Sequence, residues 1–238
     1  MSRILPRVAI LAGGLATRLR PITETIPKSL VPVAGRPFLA YQLELLRRQG
    51  FQEIVLCVGH LGEQIEAAFG DGKSFGVQLD YSYDGESLVG TAGALRRALP
   101  RLGSVFLTLY GDSYLEIDYP AVCEAFHRSE RDALMTVIAQ GRGSEAANVW
   151  YEEERVRAYG KRHPLPEMRH IDYGLSLFRA EVFQGGAEAI SDLSDLQSRL
   201  AAEGRLAGYE VMNSYYEIGS PRGLAALESH LKAGSAPW

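Results

Sequence analysis

Apolar residues recur along this chain with two alternating periods. Short apolar runs closed by glycine or a polar turn read as buried strands at Val8–Ala12, Ile54–Val58, Val105–Leu109 and Ala133–Ala139. Other segments carry helical spacing. In Pro37–Gln49, Leu39, Leu43 and Leu46 fall at i, i+4 and i+7, with proline at the start and Gly50 just beyond the end. Gly62–Phe69, Thr91–Leu99 and Tyr119–Arg128 read as further helices, with Gly70 after the first and Pro100 beyond the second. Val77–Tyr83 alternates as a strand should. Strand and helix thus take turns as far as Ala139. This predicts an α/β, Rossmann-like, mostly parallel sheet with helices on both faces. In such sheets ligands bind beyond the carboxyl ends of the strands.

The pattern is less regular afterwards. Asn148–Tyr151 and Val156–Tyr159 read as a hairpin around the acidic turn Glu152-Glu153-Glu154. Ile171–Phe178 and Arg205–Val211 read as strands, and Leu193–Leu200 as a helix. A last helix, Pro221–Leu231, carries Leu224, Leu227 and Leu231 on one face. No internal repeat, low-complexity tract or Pro/Gly/Ser linker interrupts the chain, so one domain over 1–238 is expected.

Composition narrows the partners more than the fold. The 238 residues suffice for one large α/β core. A net charge of −4 gives no reason to expect a nucleic-acid partner. Any smaller anion must be attracted locally or through a metal ion. The two cysteines, Cys57 and Cys123, form neither a disulfide framework nor a zinc spacing, which fits a reducing, cytoplasmic setting. No apolar run reaches the length of a membrane span, and the first residues do not read as a signal peptide.

The candidate chemistry centres on Leu11–Val33, LAGGLATRLRPITETIPKSLVPV. Gly13 and Gly14 follow the first strand, where a tight turn leaves backbone N–H groups facing one way and able to bind an anion. Arg18 adds a fork of donors and Lys28 a compact charge, both suited to phosphate oxygens. The loop is neither a P-loop, which needs Gly-Lys-Ser/Thr at a fixed spacing, nor a dinucleotide fingerprint, whose third glycine is absent. Asp112 follows the strand Val105–Leu109 on the same expected rim. By residue type alone it is equally a magnesium ligand or a turn cap. Gly90-Thr91-Ala92-Gly93 opens a helix, with Thr91 as a candidate cap.

Leu11–Val33 resembles the signature GGxGTRLxPxTxxxPKxLxPV of the sugar-1-phosphate nucleotidylyltransferases. Gly13, Gly14, Thr17, Arg18, Leu19, Pro21, Thr23, Pro27, Lys28, Leu30, Pro32 and Val33 fall on it, and Ala16 stands where the family has glycine. Within the family the chain looks closest to the heptose 1-phosphate guanylyltransferases. The resemblance implies a GT-A-like fold with a nucleotide-binding half over about 1–140 and a sugar-binding half beyond it. It implies transfer of a nucleoside monophosphate from a nucleoside triphosphate to a sugar 1-phosphate, giving an NDP-sugar and pyrophosphate. Ala12, Gly13, Gly14, Thr17, Gly90 and Thr91 would bind the nucleotide, with Arg18, Lys28 and Asp112 catalytic. Asp112 and Glu217 would hold Mg²⁺ or Mn²⁺, although the family has aspartate at the second position. Asn148, Lys161 and Asp172 would bind the sugar phosphate. Here Gly160 replaces the acid usual before the lysine, and Asp172-Tyr173-Gly174 replaces an Asn-x-Gly. No nucleic acid or membrane is implied, and a homo-oligomer is left open.

Two other readings remain at this level. A nucleotide-sugar glycosyltransferase would be expected to show Asp-x-Asp after the strand, where this chain has Gly111-Asp112-Ser113. A non-catalytic nucleotide-sugar-binding relative is motivated by Ala16, Gly160 and Glu217. Glu86 lies just upstream of the Gly90 turn and is placed to approach a base. His60, His127, His163, His170 and His230 form no metal spacing and read as structural or solvent-facing.

Overall fold

The computed structural model describes residues 5–141, 146–160, 164–184 and 190–233. The chain begins with β1 (Arg7–Leu11), followed by the loop with three single-turn helices at Thr17–Leu19, Ile22–Glu24 and Lys28–Leu30. A small hairpin, β2 (Pro32–Val33) and β3 (Arg36–Pro37), leads into α1 (Phe38–Arg48). Then come β4 (Glu53–Val58), α2 (Gly62–Phe69), β5 (Gln78–Tyr83), α3 (Thr91–Leu102), β6 (Val105–Tyr110), β7 (Ser113–Tyr114) and α4 (Tyr119–Ser129). The remainder is β8 (Ala133–Ala139), β9 (Val149–Glu152), β10 (Arg155–Tyr159), β11 (His170–Arg179), α5 (Leu193–Ala202), β12 (Leu206–Val211), β13 (Tyr216–Glu217) and α6 (Pro221–Lys232).

One nine-stranded sheet runs through both halves in the order β5-β4-β1-β6-β11-β8-β12-β10-β9. Its first four strands are parallel, as the strand–helix alternation predicts. β11 then enters antiparallel to both β6 and β8, while β8 and β12 are again parallel. Alternate residues of each central strand feed two cores. Val8 and Ile10 of β1, with Ile54, Leu56 and Val58 of β4, pack with α1, α2 and α4 on one face. Ala9, Val55 and Cys57 face α3 and α5 on the other. Burial on both faces is why these strands read as unbroken apolar runs.

Three details depart from the sequence reading. Pro100 lies inside α3, which runs on to Leu102. The proline removes one i→i−4 hydrogen bond, and the helix ends two residues later, so the loss is confined to its last turn. The hairpin turn is the pair Glu153-Glu154, both left-handed at φ 49° and 56°, with Glu152 still in β9. Two-residue turns of that hand match the twist of the strands. The ladders β2–β3 and β7–β13, of two residues per strand, carry no periodicity that could announce them.

The rim of the parallel half is fixed from behind by α1. Gln42, 2% exposed, donates to the carbonyls of Tyr110 (3.0 Å) and Ser113 (2.8 Å), clamping the turn that carries Asp112. Gln49 donates to Ile117 O (2.9 Å) and accepts from Tyr119 N–H (2.7 Å). Gly111 closes the joint from the front, donating to Leu11 O at 2.9 Å. A Cβ at Gly111 would stand 2.6 Å from that backbone oxygen and 3.1 Å from Ala12 Cα. Gly111→Ala must therefore push β1 and β6 apart. Overpacking of this kind costs about 1–3 kcal/mol, or roughly 3–10 °C in melting temperature for a chain of this size. Thermal unfolding of the variant measures it, and a wild-type melting temperature would show that the joint is not tight.

Candidate active site

A cavity of about 240 Å³ opens beyond the carboxyl ends of β1, β4 and β6. Ala12, Gly13 and Gly14 line it from the first loop, Lys28 from the third single-turn helix, Gly90 and Thr91 from the start of α3, and Asp112 from the β6–β7 turn. Residues scattered over a hundred positions of sequence thus meet on one rim, as the strand topology requires.

The glycine loop is held at its ends and open in the middle. Ala12 N–H donates to Cys57 O (2.8 Å), and Thr23 Oγ1 donates to Ala16 O (2.8 Å). Among the described residues, no acceptor meets the N–H groups of Gly13, Gly14, Leu15, Ala16, Thr17 or Arg18. This is the donor set of an anion site. Thr17 and Arg18 are exposed at its edge. Ala16 occupies the left-handed region at φ 47°, ψ 43°, the conformation that the signature's glycine adopts without cost.

Lys28 Nζ and Asp112 Oδ2 form an ion pair at 2.9 Å, and both side chains are largely shielded from water. Asp112 caps no helix. Its backbone carbonyl accepts from Ile218 N–H at 2.9 Å, which draws Glu217 beside it. Glu217 is itself tethered: Gly219 N–H donates to Oε2 (2.6 Å) and Ser220 Oγ to Oε1 (2.8 Å). A Cβ built on Gly219 would touch Glu217 Oε2 and lie 3.4 Å from Arg18 Nη2 and 3.5 Å from Asp112 Oδ2. Two carboxylates and a guanidinium therefore converge on a point that stays open because residue 219 has no side chain.

That donor set suits a hard divalent cation. Two carboxylates with unused lone pairs match Mg²⁺, which keeps several waters and takes its other ligands from phosphates. Among the described residues no group of three His, Cys, Asp or Glu side chains could hold a metal.

Other expected residues sit differently. Thr91 does not cap α3; Gly90 is the N-cap, and Thr91 Oγ1 accepts from Leu193 N–H at 2.7 Å. The helix's first donors, Ala92 and Gly93 N–H, go to Ser191 O, so the segment entering α5 caps α3 in place of a side chain. Asn148 is 4% exposed, and its amide oxygen accepts from Asp172 N–H at 3.0 Å. Asp172 accepts from Gly174 N–H (3.0 Å) and Tyr159 OH (3.0 Å), at an irregularity of β11. Neither lines the cavity beside Asp112, although Gly174 reaches towards it, 3.7 Å from Ser113 Oγ measured from its ideal Cβ. Lys161 lies outside the described residues.

The sequence reading missed Asp84. It lines the same cavity and is 5% exposed. Burial pushes its carboxyl up, against the pull of Arg97 and the N–H of Val89. Its neighbours Leu11, Ala12, Cys57, Leu88 and Ala94 make that end of the cavity apolar. Burial and the nearby Asp84 push the Cys57 thiol up to about 12, so it acts as wall rather than nucleophile. Asp84 follows an alternating, half-polar strand, where an acid reads as ordinary strand-end polarity.

A family model described as nucleotidyl transferase matches residues 7–148. The UTP–glucose-1-phosphate uridylyltransferase of Synechocystis is 39% identical over 145 residues, covering 56% of this chain and 37% of that protein. The D-glycero-alpha-D-manno-heptose 1-phosphate guanylyltransferase of Campylobacter jejuni is 38% identical over 109 residues, covering 46% and 48%. The chain thus spans half or less of the length of these curated relatives. The crystal structure of HddC from Yersinia pseudotuberculosis complexed with GMP-PN superposes with a TM-score of 0.79 over 95% of this chain and 100% of that one, at 23% identity, a likeness of fold.

Ala16→Gly removes a left-handed alanine that costs about 1–2 kcal/mol, offset in part by the greater freedom of glycine in the unfolded chain. Denaturant unfolding should show a gain of up to about 1 kcal/mol. A loss of stability would mean that the Ala16 methyl group makes a compensating contact.

Proposed function

The chain belongs to the nucleotidyl transferase family, and on that premise we propose that it transfers a nucleoside monophosphate from a nucleoside triphosphate to a sugar 1-phosphate, forming an NDP-sugar and pyrophosphate. The observation that carries this reading is the meeting of the unpaired loop N–H groups, Lys28 and Asp112 at one cavity. In this reading the chain works as one domain, with residues up to about 140 serving the nucleotide and the rest the sugar. Its two buried free thiols suit a cytoplasmic location.

The chemistry needs no general base. A phosphate oxygen of the sugar 1-phosphate, already anionic, attacks the α-phosphorus. The bond to the bridging oxygen of the β-phosphate breaks, and pyrophosphate leaves with that electron pair. The protein's task is positioning and charge neutralisation. Ala12, Gly13, Gly14 and Thr17 present backbone donors to the triphosphate. Arg18, exposed at the loop edge, reaches the outer phosphates. Lys28 stabilises the charge that develops at the α-phosphate once Asp112 turns to other ligands. Asp112 and Glu217 would hold Mg²⁺ or Mn²⁺, which when bound supplies Lewis-acid polarisation and an in-line template. Asp172 and Lys161 serve the sugar phosphate, with Asn148 bracing Asp172 from behind.

The base lies against Gly90, Thr91 and the apolar wall ending at Asp84. A buried carboxylate accepts a ring N–H, which guanine, uracil and thymine carry and adenine and cytosine lack. Guanylyl- and uridylyltransferases among the relatives are in keeping with that choice.

Pyrophosphate release over a matrix of triphosphates and sugar 1-phosphates tests the reading. Lys28→Ala should lower kcat by about 100-fold or more with the fold intact, since a positioned donor is worth roughly that much. Glu217→Gln should raise the metal concentration needed for half-maximal rate, and chelator should abolish turnover until Mg²⁺ or Mn²⁺ is restored. Full activity in Lys28→Ala would remove the lysine from the mechanism.

A further inference from the structure

Asp112 and Glu217 sit on opposite arms of the β7–β13 ladder, where Tyr216 faces Tyr114 and Glu217 faces Ser113. Two strands of two residues are not stable by themselves. Something must hold them in register if the carboxylates are to keep their spacing. The supports come from α6, at both of its ends.

At its start, Ser220 accepts from Gly223 N–H (3.1 Å) as the helix cap and donates to Glu217 Oε1 (2.8 Å). Near its end, His230 touches one arm of the ladder and the chain just beyond the other. Its ring stacks on Tyr216, with centroids 4.4 Å apart and planes at 22°. Its Nε2 lies 2.7 Å from Oε2 of Glu116, a carboxylate 8% exposed and two residues beyond β7. Asn213 donates to the Glu116 carbonyl at 2.8 Å, so the chain entering β13 is tied to the same residue. Leu227, fully buried, seats the helix between these two ends.

We propose that His230 is a positioning residue for the Asp112–Glu217 pair, acting by clamping Tyr216 and Glu116 and so fixing the ladder that carries both carboxylates. This rests on the reading of those carboxylates as a divalent-cation site. A buried carboxylate that loses its partner carries the full cost of desolvation. Removal of the imidazole therefore lets Glu116 swing towards water and frees Tyr216. Residues that orient metal ligands at one remove are typically worth 10–100-fold in metal affinity.

The experiment titrates Mn²⁺ alone into the protein and reads free Mn²⁺ by electron paramagnetic resonance. His230→Ala should bind Mn²⁺ about tenfold more weakly. His230→Gln, whose amide can still donate to Glu116, should recover most of that loss. Leu200→Ala in α5, on the far face of the sheet, should lower the melting temperature and leave Mn²⁺ affinity unchanged. Should His230→Ala fail to fold, Glu116→Gln carries the test, with weaker binding expected. Equal weakening in His230→Ala and Leu200→Ala would reduce the effect to general loosening and overturn the proposal. So would wild-type affinity in His230→Ala alongside lost binding in Asp112→Ala, which would leave the metal-site reading standing. Wild-type affinity in Asp112→Ala would overturn the metal site itself.

Discussion

The ion pair between Lys28 and Asp112, 2.9 Å long and partly shielded from water, joins the two segments on which the site is built. One is the loop after β1, which has glycines and unpaired N–H groups but little regular structure to hold it. The other is the turn after β6, clamped by Gln42 from α1 and by Gly111 against Leu11. Without a ligand, the pair gives each charge a partner in a place where neither could be left alone cheaply. It also sets the sign of the chemistry. A cation that claims Asp112 releases Lys28, and the freed ammonium needs an anion nearby. In the proposed function, a nucleotide phosphate in the adjacent glycine loop would be that anion.

The rest of the fold serves to bring these segments together and keep them still. The parallel half of the sheet ends its strands on one rim, so the first loop, the Gly90 turn and the Asp112 turn become neighbours. The antiparallel entry of β11 between β6 and β8 carries Asp172 and Gly174 past the same rim. From the other side, α6 holds Glu217 through Ser220 and the β7–β13 ladder through His230. Rigid elements thus lie under Asp112 and Glu217, the two carboxylates that the proposed chemistry uses, as preorganised electrostatic catalysis requires.

What the sequence revealed follows from how local each signal is. Gly13, Gly14 and Lys28 occupy one short motif, and Asp112 follows an apolar strand after one glycine, so both could be read and both line the cavity. The helices and central strands were legible because burial imposes a period on them. Gln42, Gln49, Asp84 and the Glu116–His230 pair were not. Their meaning lies in partners up to 114 residues away, and a buried glutamine or a lone histidine looks ordinary until its partner is in place. The β7–β13 ladder was invisible because two-residue strands have no pattern. Thr91 was read as a cap from residue type, but a distant carbonyl, Ser191 O, had already taken the helix donors.

The central claim is that Lys28 and the cation compete for Asp112, which couples cation binding to nucleotide binding. The most direct measurement is Mn²⁺ affinity with and without saturating GTP or UTP, in the wild-type protein and in Lys28→Met. The account predicts that nucleotide tightens Mn²⁺ binding in the wild type by about tenfold or more, a usual size for coupling between sites. In Lys28→Met, Mn²⁺ alone should bind more tightly than in the wild type, and the coupling should shrink. Equal Mn²⁺ affinity in the two proteins, with the same response to nucleotide, would contradict it.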